Sequence, residues 1–281
     1  MRIFRTAAQL AEYLKNVKTQ TLSIGFVPTM GALHNGHISL IKAAKKQCDI
    51  VLCSVFVNPT QFNNKTDFEK YPVTIENDIL LLEQNKTDVL FLPSTEEIYS
   101  DGIDRLQHFD LGYLENILEG YYRPGHFQGV CNVVYRLLNI VKPHTVFFGQ
   151  KDYQQIMVVK KMMKDFFPDV QMIIVETVRE NDGLAMSSRN MRLNNEARKN
   201  STAIYEALQY IKQNIEIKNF DELKSEATQI ILKKGFDKVD YIEICDAETL
   251  EPVKKFNDKQ KLIILIAAFL NDVRLIDNLL I

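Results

Sequence analysis

The chain contains no tryptophan, and its 281 residues include only four cysteines, 11 glycines and 8 prolines. So little glycine and proline excludes a collagenous or low-complexity protein. The cysteines form no CxxC pair and are too sparse for a disulfide scaffold; they are Cys48, Cys53, Cys131 and Cys245. We interpret them as structural, reduced thiols, which predicts a cytoplasmic protein.

The sequence also lacks an excess of either charge and a long hydrophobic run. Lys and Arg total 34 against 36 Asp and Glu, so the net charge of −2 leaves no broad basic surface for nucleic acid or an anionic membrane. The longest apolar run, Leu262–Leu270, has nine residues, whereas a membrane-spanning helix needs about 20. We therefore expect a soluble protein without an export signal, and no nucleic-acid or membrane partner.

Between residues 22 and 178, short β-branched or aromatic runs alternate with segments of helical periodicity. The predicted strands are 22–27, 49–57, 88–92, 145–149 and 172–178, and the predicted helices are 36–47, 75–84, 126–141 and 153–166. The N-terminal residues, MRIFRTAAQLAEYLKN, have the pattern of an amphipathic helix. Alternation of apolar strands and helices predicts an α/β fold, a Rossmann-like doubly wound parallel sheet.

The pattern changes after about residue 185. Two helical stretches, 195–213 and 221–234, precede closely spaced strand candidates at 239–245, 261–270 and 273–281, with Asn271–Asp272 as a hairpin turn. Helices followed by closely spaced strands predict a smaller C-terminal α+β domain. The predicted domains are therefore residues 1–185 and 186–281.

The first strand candidate leads into PTMGALHNGH, and a helix candidate follows. His34 and His37, three residues apart, share one face at the helix start, beside its unpaired N–H groups and the positive end of its dipole. This arrangement predicts an anion site suited to phosphate. Two alternatives stay open: Asn35 caps the helix while both histidines are incidental, or the histidines form a metal pair, although HNGH lacks the glutamate and spacing of HExxH. A dehydrogenase is disfavoured, since no GxGxxG follows the strand.

PTMGALHNGH resembles the HxGH signature of the nucleotidylyltransferase superfamily and, with its flanks, the pantothenate synthetase (pantoate–β-alanine ligase) family. Four further segments match that family in order: FVNPTQF (56–62), LEGYYRPGHFQGV (118–130), FFGQKDYQQ (147–155) and RENDGLAMSSRN (179–190). The resemblance implies an ATP-dependent ligase that condenses (R)-pantoate with β-alanine through a pantoyl adenylate. It further implies that residues 1–185 form the domain binding ATP and pantoate, that Mg²⁺ is required, and that the chain is a homodimer.

The resemblance also implies roles for individual residues. The catalytic residues would be His34, His37, Lys151, Ser187, Ser188 and Arg189. ATP would contact Met30, Gly31, Ala32, Leu33, His34, Asn35, Gly36, His37, Gly149, Gln150, Lys151, Asp152, Val178, Met186, Ser187, Ser188 and Arg189. Pantoate or β-alanine would contact Asn58, Gln61, Arg123 and Gln155. The family commonly has glutamate where this chain has Gln150.

Some positions keep more than one interpretation. The Mg²⁺ ligands are left unassigned, although Glu76, Asn77 and Asp78 at a helix start are candidates. Glu119 and Arg123 form either a polar wall near the substrates or a solvated ion pair. We interpret His108, Cys131 and His144 as structural. Two other functions stay possible from the residues alone: a nucleotidylyltransferase with a phosphorylated acceptor, and a non-catalytic nucleotide-binding module.

Overall fold

The computed structural model describes all residues, Met1–Ile281. The strands are β1 (Arg2–Phe4), β2 (Ile24–Thr29), β3 (Ile50–Val55), β4 (Val89–Phe91), β5 (Thr145–Gly149), β6 (Gln171–Val175), β7 (Lys238–Asp246), β8 (Leu262–Leu270) and β9 (Val273–Leu280). The α-helices are α1 (Ala7–Thr19), α2 (Asn35–Gln47), α3 (Lys65–Glu69), α4 (Ile75–Gln84), α5 (Thr95–Ile98), α6 (Leu118–Tyr122), α7 (His126–Val141), α8 (Tyr153–Phe166), α9 (Asn195–Asn200), α10 (Ala203–Asn214) and α11 (Phe220–Lys233).

The chain divides into two compact units. The first contains Met1–Gln150 and Gln154–Glu176, and the second contains Lys151–Tyr153 and Thr177–Ile281. The short segment Lys151–Tyr153 is therefore part of the second unit although only Gln150 separates it from β5. The division into domains of residues 1–185 and 186–281 stays a prediction.

A six-stranded sheet forms the centre of the first unit, in the order β1-β4-β3-β2-β5-β6. All neighbouring strands in it run parallel. From β2 the chain moves outward through β3 and β4, and it later places β5 and β6 on the other side of β2. This topology confirms the predicted Rossmann-like α/β fold, and it creates a switch point between β2 and β5.

The N-terminus differs from the sequence-based prediction. Arg2–Phe4 form an edge strand that pairs with Val89–Phe91, and α1 begins only after Thr6, whose side chain accepts the Gln9 N–H. The predicted helix over the first residues is therefore wrong, and the sheet has one strand more than predicted. Three residues are too few to show the alternation of a strand. From the sequence alone, the amphipathic pattern of the helix that follows therefore includes them.

Apolar side chains cover both faces of this sheet. On one face Val27 and Cys53 pack with Ile38 of α2. Phe26 and Leu52 are fully buried as well, and strand alternation points their side chains to the opposite face. Strands buried on both faces explain why the predicted runs are apolar almost throughout.

The second unit contains a three-stranded antiparallel sheet in the order β7-β8-β9. Its core joins apolar residues of α10 and α11 to the alternating residues Ile264, Ile266 and Ala268 of β8. Leu270 pairs with Val273 across a two-residue loop, which confirms the predicted hairpin turn. The single helix predicted over 195–213 is two helices, α9 and α10, separated at Ser201 and Thr202.

The four cysteines are free thiols, as the sequence predicts. Burial raises the pKa of the Cys53, Cys131 and Cys245 thiols to about 12, and burial also raises the pKa of Cys48. Because the thiolate is the reactive form, we expect slow reaction of the native protein with a disulfide reagent at pH 8. Denatured protein, without reductant, should release four equivalents of chromophore per chain, matching its four cysteines. Fewer equivalents would contradict the assignment of four free thiols.

No helix of the chain is long and apolar enough to cross a membrane.

Candidate active site

The carboxyl ends of β2 and β5 lie side by side at the switch point. In open α/β sheets, ligands bind at this position. The loop 30–34 follows β2, Gln150 follows β5, and the segment Asn58–Gln61 follows the neighbouring strand β3. These predicted site segments of the first unit therefore all follow the carboxyl ends of strands at one edge of the sheet.

The HNGH segment forms the first turn of α2, and its two histidines cap that helix. His34 is the N-cap residue; its Nδ1 accepts the Gly36 N–H at 3.1 Å. His37 Nδ1 accepts the His34 N–H at 3.3 Å, which completes a capping box. The interpretation in which Asn35 caps the helix is therefore wrong.

The capping bonds determine which ring nitrogen of each histidine carries the proton. A nitrogen that accepts a backbone N–H has no hydrogen, so the neutral rings of His34 and His37 are protonated at Nε2. The ring centroids lie 4.0 Å apart. Two imidazole donors thus lie at the N-terminus of a 13-residue helix, whose dipole also favours negative charge.

A buried carboxylate holds the loop before these histidines. Asp78 is 2% exposed, and its two oxygens accept the N–H groups of Ala32 at 3.0 Å and Leu33 at 2.8 Å. The Thr74 hydroxyl donates to the same carboxylate at 3.0 Å. The loop needs such support because Gly31 and Ala32 both have positive φ angles, +87° and +48°, where alanine is strained.

The amide of Asn58 is enclosed by protein partners. Its Oδ1 accepts the Thr60 N–H at 3.3 Å and the Tyr99 hydroxyl at 2.8 Å. Its Nδ2 donates to Gly129 O at 3.2 Å and to Gln61 Oε1 at 3.1 Å. Asn58 is 1% exposed, and its bonds hold Gln61 in place; its direct contact with a substrate stays a prediction.

Gln61 connects this network to the loop after β2. Because its Oε1 accepts from Asn58, its Nε2 points elsewhere and lies 3.2 Å from the sulfur of Met30. Tyr99 is buried behind the network, and burial raises the pKa of its phenol. Gln61 is itself 8% exposed. Its bonds to Asn58 and Met30 hold the segment Asn58–Gln61 beside the predicted ATP loop.

A second network supports Gln61 from helix α7. His126 Nδ1 lies 2.8 Å from Gln61 O, and its Nε2 lies 3.1 Å from Arg123 Nη1. Since a carbonyl only accepts and a guanidinium only donates, His126 carries its proton on Nδ1. Arg123 lies 3.4 Å from Glu119 Oε2, and their side chains are 18% and 8% exposed. These groups form a partly buried polar wall; a fully solvated ion pair is excluded.

Helix α8 begins close to the same wall. Gln154, 2% exposed, accepts the Glu119 N–H at 2.9 Å through its side-chain oxygen. Gln155, the residue predicted to contact pantoate, is next along α8 and half-buried. Gln154 is thus committed to holding the protein backbone, and the pantoate contact of Gln155 stays a prediction.

The remaining predicted residues belong to the second unit. Lys151 has a side chain that is 17% exposed and lies 3.8 Å from Asp152 Oδ1. Met186 donates its N–H to Val178 O at 3.0 Å, so that carbonyl is used within the protein. Ser187 caps a short 3₁₀ helix, Ser188–Arg192, by accepting the Arg189 N–H at 3.3 Å.

The side chains build no cage for a metal ion. No group of three or more His, Cys, Asp or Glu residues is placed to hold one. Both oxygens of Asp78 already accept backbone N–H groups, and Glu76 and Asn77 are exposed. Mg²⁺ often binds through substrate phosphates and few protein ligands. The donors present would fit a metal that binds chiefly to a nucleotide's phosphates, and the Mg²⁺ requirement stays a prediction.

Comparison with known proteins identifies the family. The model of the family described as pantoate-beta-alanine ligase matches residues 2–280. The chain belongs to the pantoate-beta-alanine ligase family. It is 46% identical over 281 residues to pantothenate synthetase of Thermotoga neapolitana, and 45% identical over 282 residues to that of Fervidobacterium nodosum. The alignments cover 99% of both chains in the first case, and 100% of this chain and 99% of the relative in the second.

Solved structures of this family share the fold. The crystal structure of pantothenate synthetase from Thermus thermophilus superposes with a TM-score of 0.89 at 38% identity, covering 99% of each chain. Pantoate-beta-alanine ligase from Francisella tularensis, complexed with β-γ ATP and β-alanine, superposes with a TM-score of 0.84 at 42% identity, covering 100% of this chain and 97% of that one. The resemblance stated from the motifs is confirmed.

Several residues that organise the site are evident only in the structure. The sequence indicates only a metal-ligand role for Asp78 and no role for Tyr99 or His126. All three are buried polar residues that contact loops far away in sequence. Their neighbours along the chain give no signal, since Asp78 lies in TIENDI, Tyr99 in EEIYSD and His126 in RPGHFQ. His144 accepts the Ile24 N–H at 2.9 Å, which confirms its structural interpretation.

Proposed function

We propose that this chain condenses (R)-pantoate with β-alanine in an ATP-dependent reaction that forms AMP. The products are pantothenate, AMP and pyrophosphate, and a pantoyl adenylate is the intermediate. The chain is thus a ligase of the pantothenate pathway, which supplies coenzyme A. Membership of the family over residues 2–280 supports the substrate assignment.

The observation that carries this proposal is the capping geometry of His34 and His37. Their Nδ1 atoms accept backbone N–H groups, so their Nε2 protons are held at the start of α2 without a further partner being needed to set the tautomer. Donors held in advance stabilise charge that develops in a transition state. We assign both histidines to the α-phosphate of ATP, whose charge grows as the adenylate forms.

The first step is transfer of AMP to pantoate. An oxygen of the pantoate carboxylate attacks the α-phosphorus, the bond from that phosphorus to the bridging oxygen breaks, and pyrophosphate leaves with the electron pair. Lys151 and Arg189 are assigned to the charge of the leaving pyrophosphate, with the hydroxyls of Ser187 and Ser188 as additional donors. The other residues assigned to ATP binding are the loop Met30–Asn35, Gly36, Gly149, Gln150, Asp152, Val178 and Met186.

The second step is attack by β-alanine. Its amine attacks the acyl carbon of the mixed anhydride, the bond from that carbon to the phosphate oxygen breaks, AMP leaves, and the nitrogen loses a proton. Asn58, Gln61, Gln155 and Arg123 are assigned to pantoate and β-alanine. No covalent bond to the protein is required, so catalysis depends on positioning and electrostatic stabilisation.

Three further features belong to the same proposal. Mg²⁺, bound to the phosphates of ATP, would neutralise part of their charge. The family resemblance supports a homodimer, which sedimentation equilibrium would test. Four free thiols support a cytoplasmic location.

The test of this function is product analysis by mass spectrometry. The protein is incubated with ATP, Mg²⁺ and D-pantoate, with and without β-alanine. We expect pantothenate and AMP in equal amounts only in the complete mixture. A nucleotidylyltransferase with another acceptor would form no pantothenate, and a binding module would form no AMP, so either result would overturn the proposal.

Replacing Gln61 with alanine should impair the use of both pantoate and β-alanine. Losing a hydrogen bond to a charged ligand costs about 1.5–3 kcal/mol, which predicts a roughly 10–100-fold increase in KM for pantoate. ATP binding should stay largely intact, because Gln61 contacts only the sulfur of Met30 in the ATP loop. Steady-state kinetics with each substrate varied in turn measures the effect.

Gln213→Ala, on the exposed side of α10, is the control for loss of a glutamine side chain. It should leave all three KM values unchanged. Unchanged KM values for pantoate and β-alanine in Gln61→Ala would remove Gln61 from the binding site.

A further inference from the structure

Two adjacent polar residues are buried in the last strand of the chain. Asp277 is 5% exposed and Asn278 is 2% exposed, although β9 is otherwise apolar around them. Because successive strand residues point to opposite faces, these two side chains leave the sheet in opposite directions. A buried carboxylate and a buried amide are costly unless they have partners, and each has a specific one.

Asp277 holds the turn that precedes Met186–Arg189. Arg179 donates to both carboxylate oxygens of Asp277, and its second donor also reaches Asn278 O at 3.1 Å. The same guanidinium donates to Gly183 O at 3.1 Å and lies over the Tyr205 ring at 4.5 Å. Arg179 therefore ties its own turn to β9 through a bidentate, partly buried ion pair.

This turn is closed by backbone bonds as well. Arg179 and Ala185 form an isolated antiparallel β-bridge, and the Glu180 N–H donates to Leu184 O at 2.8 Å. Gly183 has a φ of +92°, and a Cβ there would lie 2.0 Å from the Tyr205 ring. The segment that leads into Met186–Arg189 is therefore closely packed, and Arg179 attaches it to β9 through Asp277 and Asn278 O.

Asn278 holds the other catalytic segment of the second unit. Its Nδ2 donates to Lys151 O at 2.8 Å. Tyr153 gives the same segment another attachment, since its hydroxyl donates to Ala247 O at 2.7 Å. The backbone N–H of Asn278 donates to Asp277 Oδ1 at 2.8 Å, so the Asp277 carboxylate is bonded to the backbone that carries the Asn278 side chain.

We propose that Asp277 and Asn278 form a positioning pair. The pair holds the backbone of Lys151 and the turn before Met186–Arg189 against the same strand, β9. This inference rests on the proposed function, which assigns Lys151 and Arg189 to the leaving pyrophosphate. The side-chain partners of the pair belong to the protein: Arg179 for Asp277 and Lys151 O for Asn278. Asp277 and Asn278 therefore act on the reaction by positioning the Arg179 guanidinium and the Lys151 backbone.

The pair acts on one half of the reaction only. Lys151 and Arg189 offset charge that develops when pyrophosphate leaves, and no pyrophosphate is present when β-alanine attacks the adenylate. Displacement of Lys151 should therefore slow adenylate formation and leave aminolysis of ready-made pantoyl adenylate unchanged. A residue that only stabilised the fold would affect both steps together.

The test replaces Asn278 with leucine, which has a similar size and no donor. Asn214→Leu is the matched control, because Asn214 also donates Nδ2 to a backbone carbonyl, Tyr210 O, at 2.8 Å within the same unit. Pyrophosphate release from ATP and pantoate measures the first step, and pantothenate formation from supplied pantoyl adenylate measures the second. Thermal denaturation of both variants reports stability.

For Asn278→Leu we expect adenylate formation to fall about tenfold or more, since small misplacements of catalytic groups have effects of up to about 10²-fold. Aminolysis should stay within twofold of the wild type, and Asn214→Leu should be normal in both steps. Should the leucine variant fail to fold, Asn278→Ser, too short to reach Lys151 O and able to bind water, is compared in the same way.

Equal losses in both steps, or no loss in either, would overturn the positioning role. The proposed function fails separately, since it predicts AMP and pantothenate from the wild-type chain. A wild type that makes both products, with Asn278 variants that match Asn214→Leu, would reject only the positioning pair.

Discussion

Replacing His37 with alanine is expected to slow formation of pantoyl adenylate by about 10²–10³-fold, the usual cost of removing one preorganised donor to developing charge. The substitution also removes the acceptor of the His34 N–H, and loss of a cap costs about 1 kcal/mol of folding stability. Release of pyrophosphate from ATP and pantoate, measured with excess Mg²⁺, reports the step directly.

His37→Gln separates the two consequences of that substitution. Glutamine is a common partner in a capping box, so its side-chain oxygen can accept the His34 N–H while its amide nitrogen donates to phosphate. We expect this variant to recover stability fully and activity in part. Pyrophosphate release by His37→Ala at close to the wild-type rate would refute the role of His37.

Replacing Asp78 with alanine is expected to lower the free energy of unfolding by roughly 3–5 kcal/mol. Two buried N–H groups, those of Ala32 and Leu33, lose their acceptor, and each unsatisfied buried group costs about 1–3 kcal/mol. The KM for ATP should rise as well, because the strained loop before His34 loses its brace. Urea denaturation followed by circular dichroism measures stability in this chain, which has no tryptophan.

Glu76→Ala is the matched control for Asp78→Ala. Both acids lie in the first turn of α4, where a carboxylate gains about 0.3–1 kcal/mol from the helix dipole. Glu76 is exposed, so its replacement removes only that contribution. Similar destabilisation by the two substitutions would show that Asp78 does not brace the loop.

The elements that the sequence predicted well are those with a local signal. Helices α4, α7 and α8 have the predicted bounds because their apolar residues repeat at helical spacing over ten or more residues. β1 was missed because it has three residues, and its pairing with β4 depends on chain far away in sequence. The break between α9 and α10 was missed because the same apolar stripe continues across it.

The candidate site divides in the same way. HNGH could be recognised because both histidines and the helix that they cap lie within a few residues, and local spacing determines which of them share a face. Asp78 lies 46 positions from Ala32, and Asn278 lies 127 positions from Lys151. No periodicity connects residues at such separations, so their partnership depends on the packing of the sheets.

By itself, the sequence determined the alternation of strands and helices, the family through its ordered motifs, and the location of the histidine pair at a helix start. Only the tertiary structure decided that Asn58 donates to Gln61, that His126 contacts Gln61 O, and that Asp78 serves the loop backbone. The reason is physical. Backbone periodicity and capping are set by neighbours along the chain, whereas a buried polar group is satisfied by whichever partner the completed fold brings within hydrogen-bonding distance.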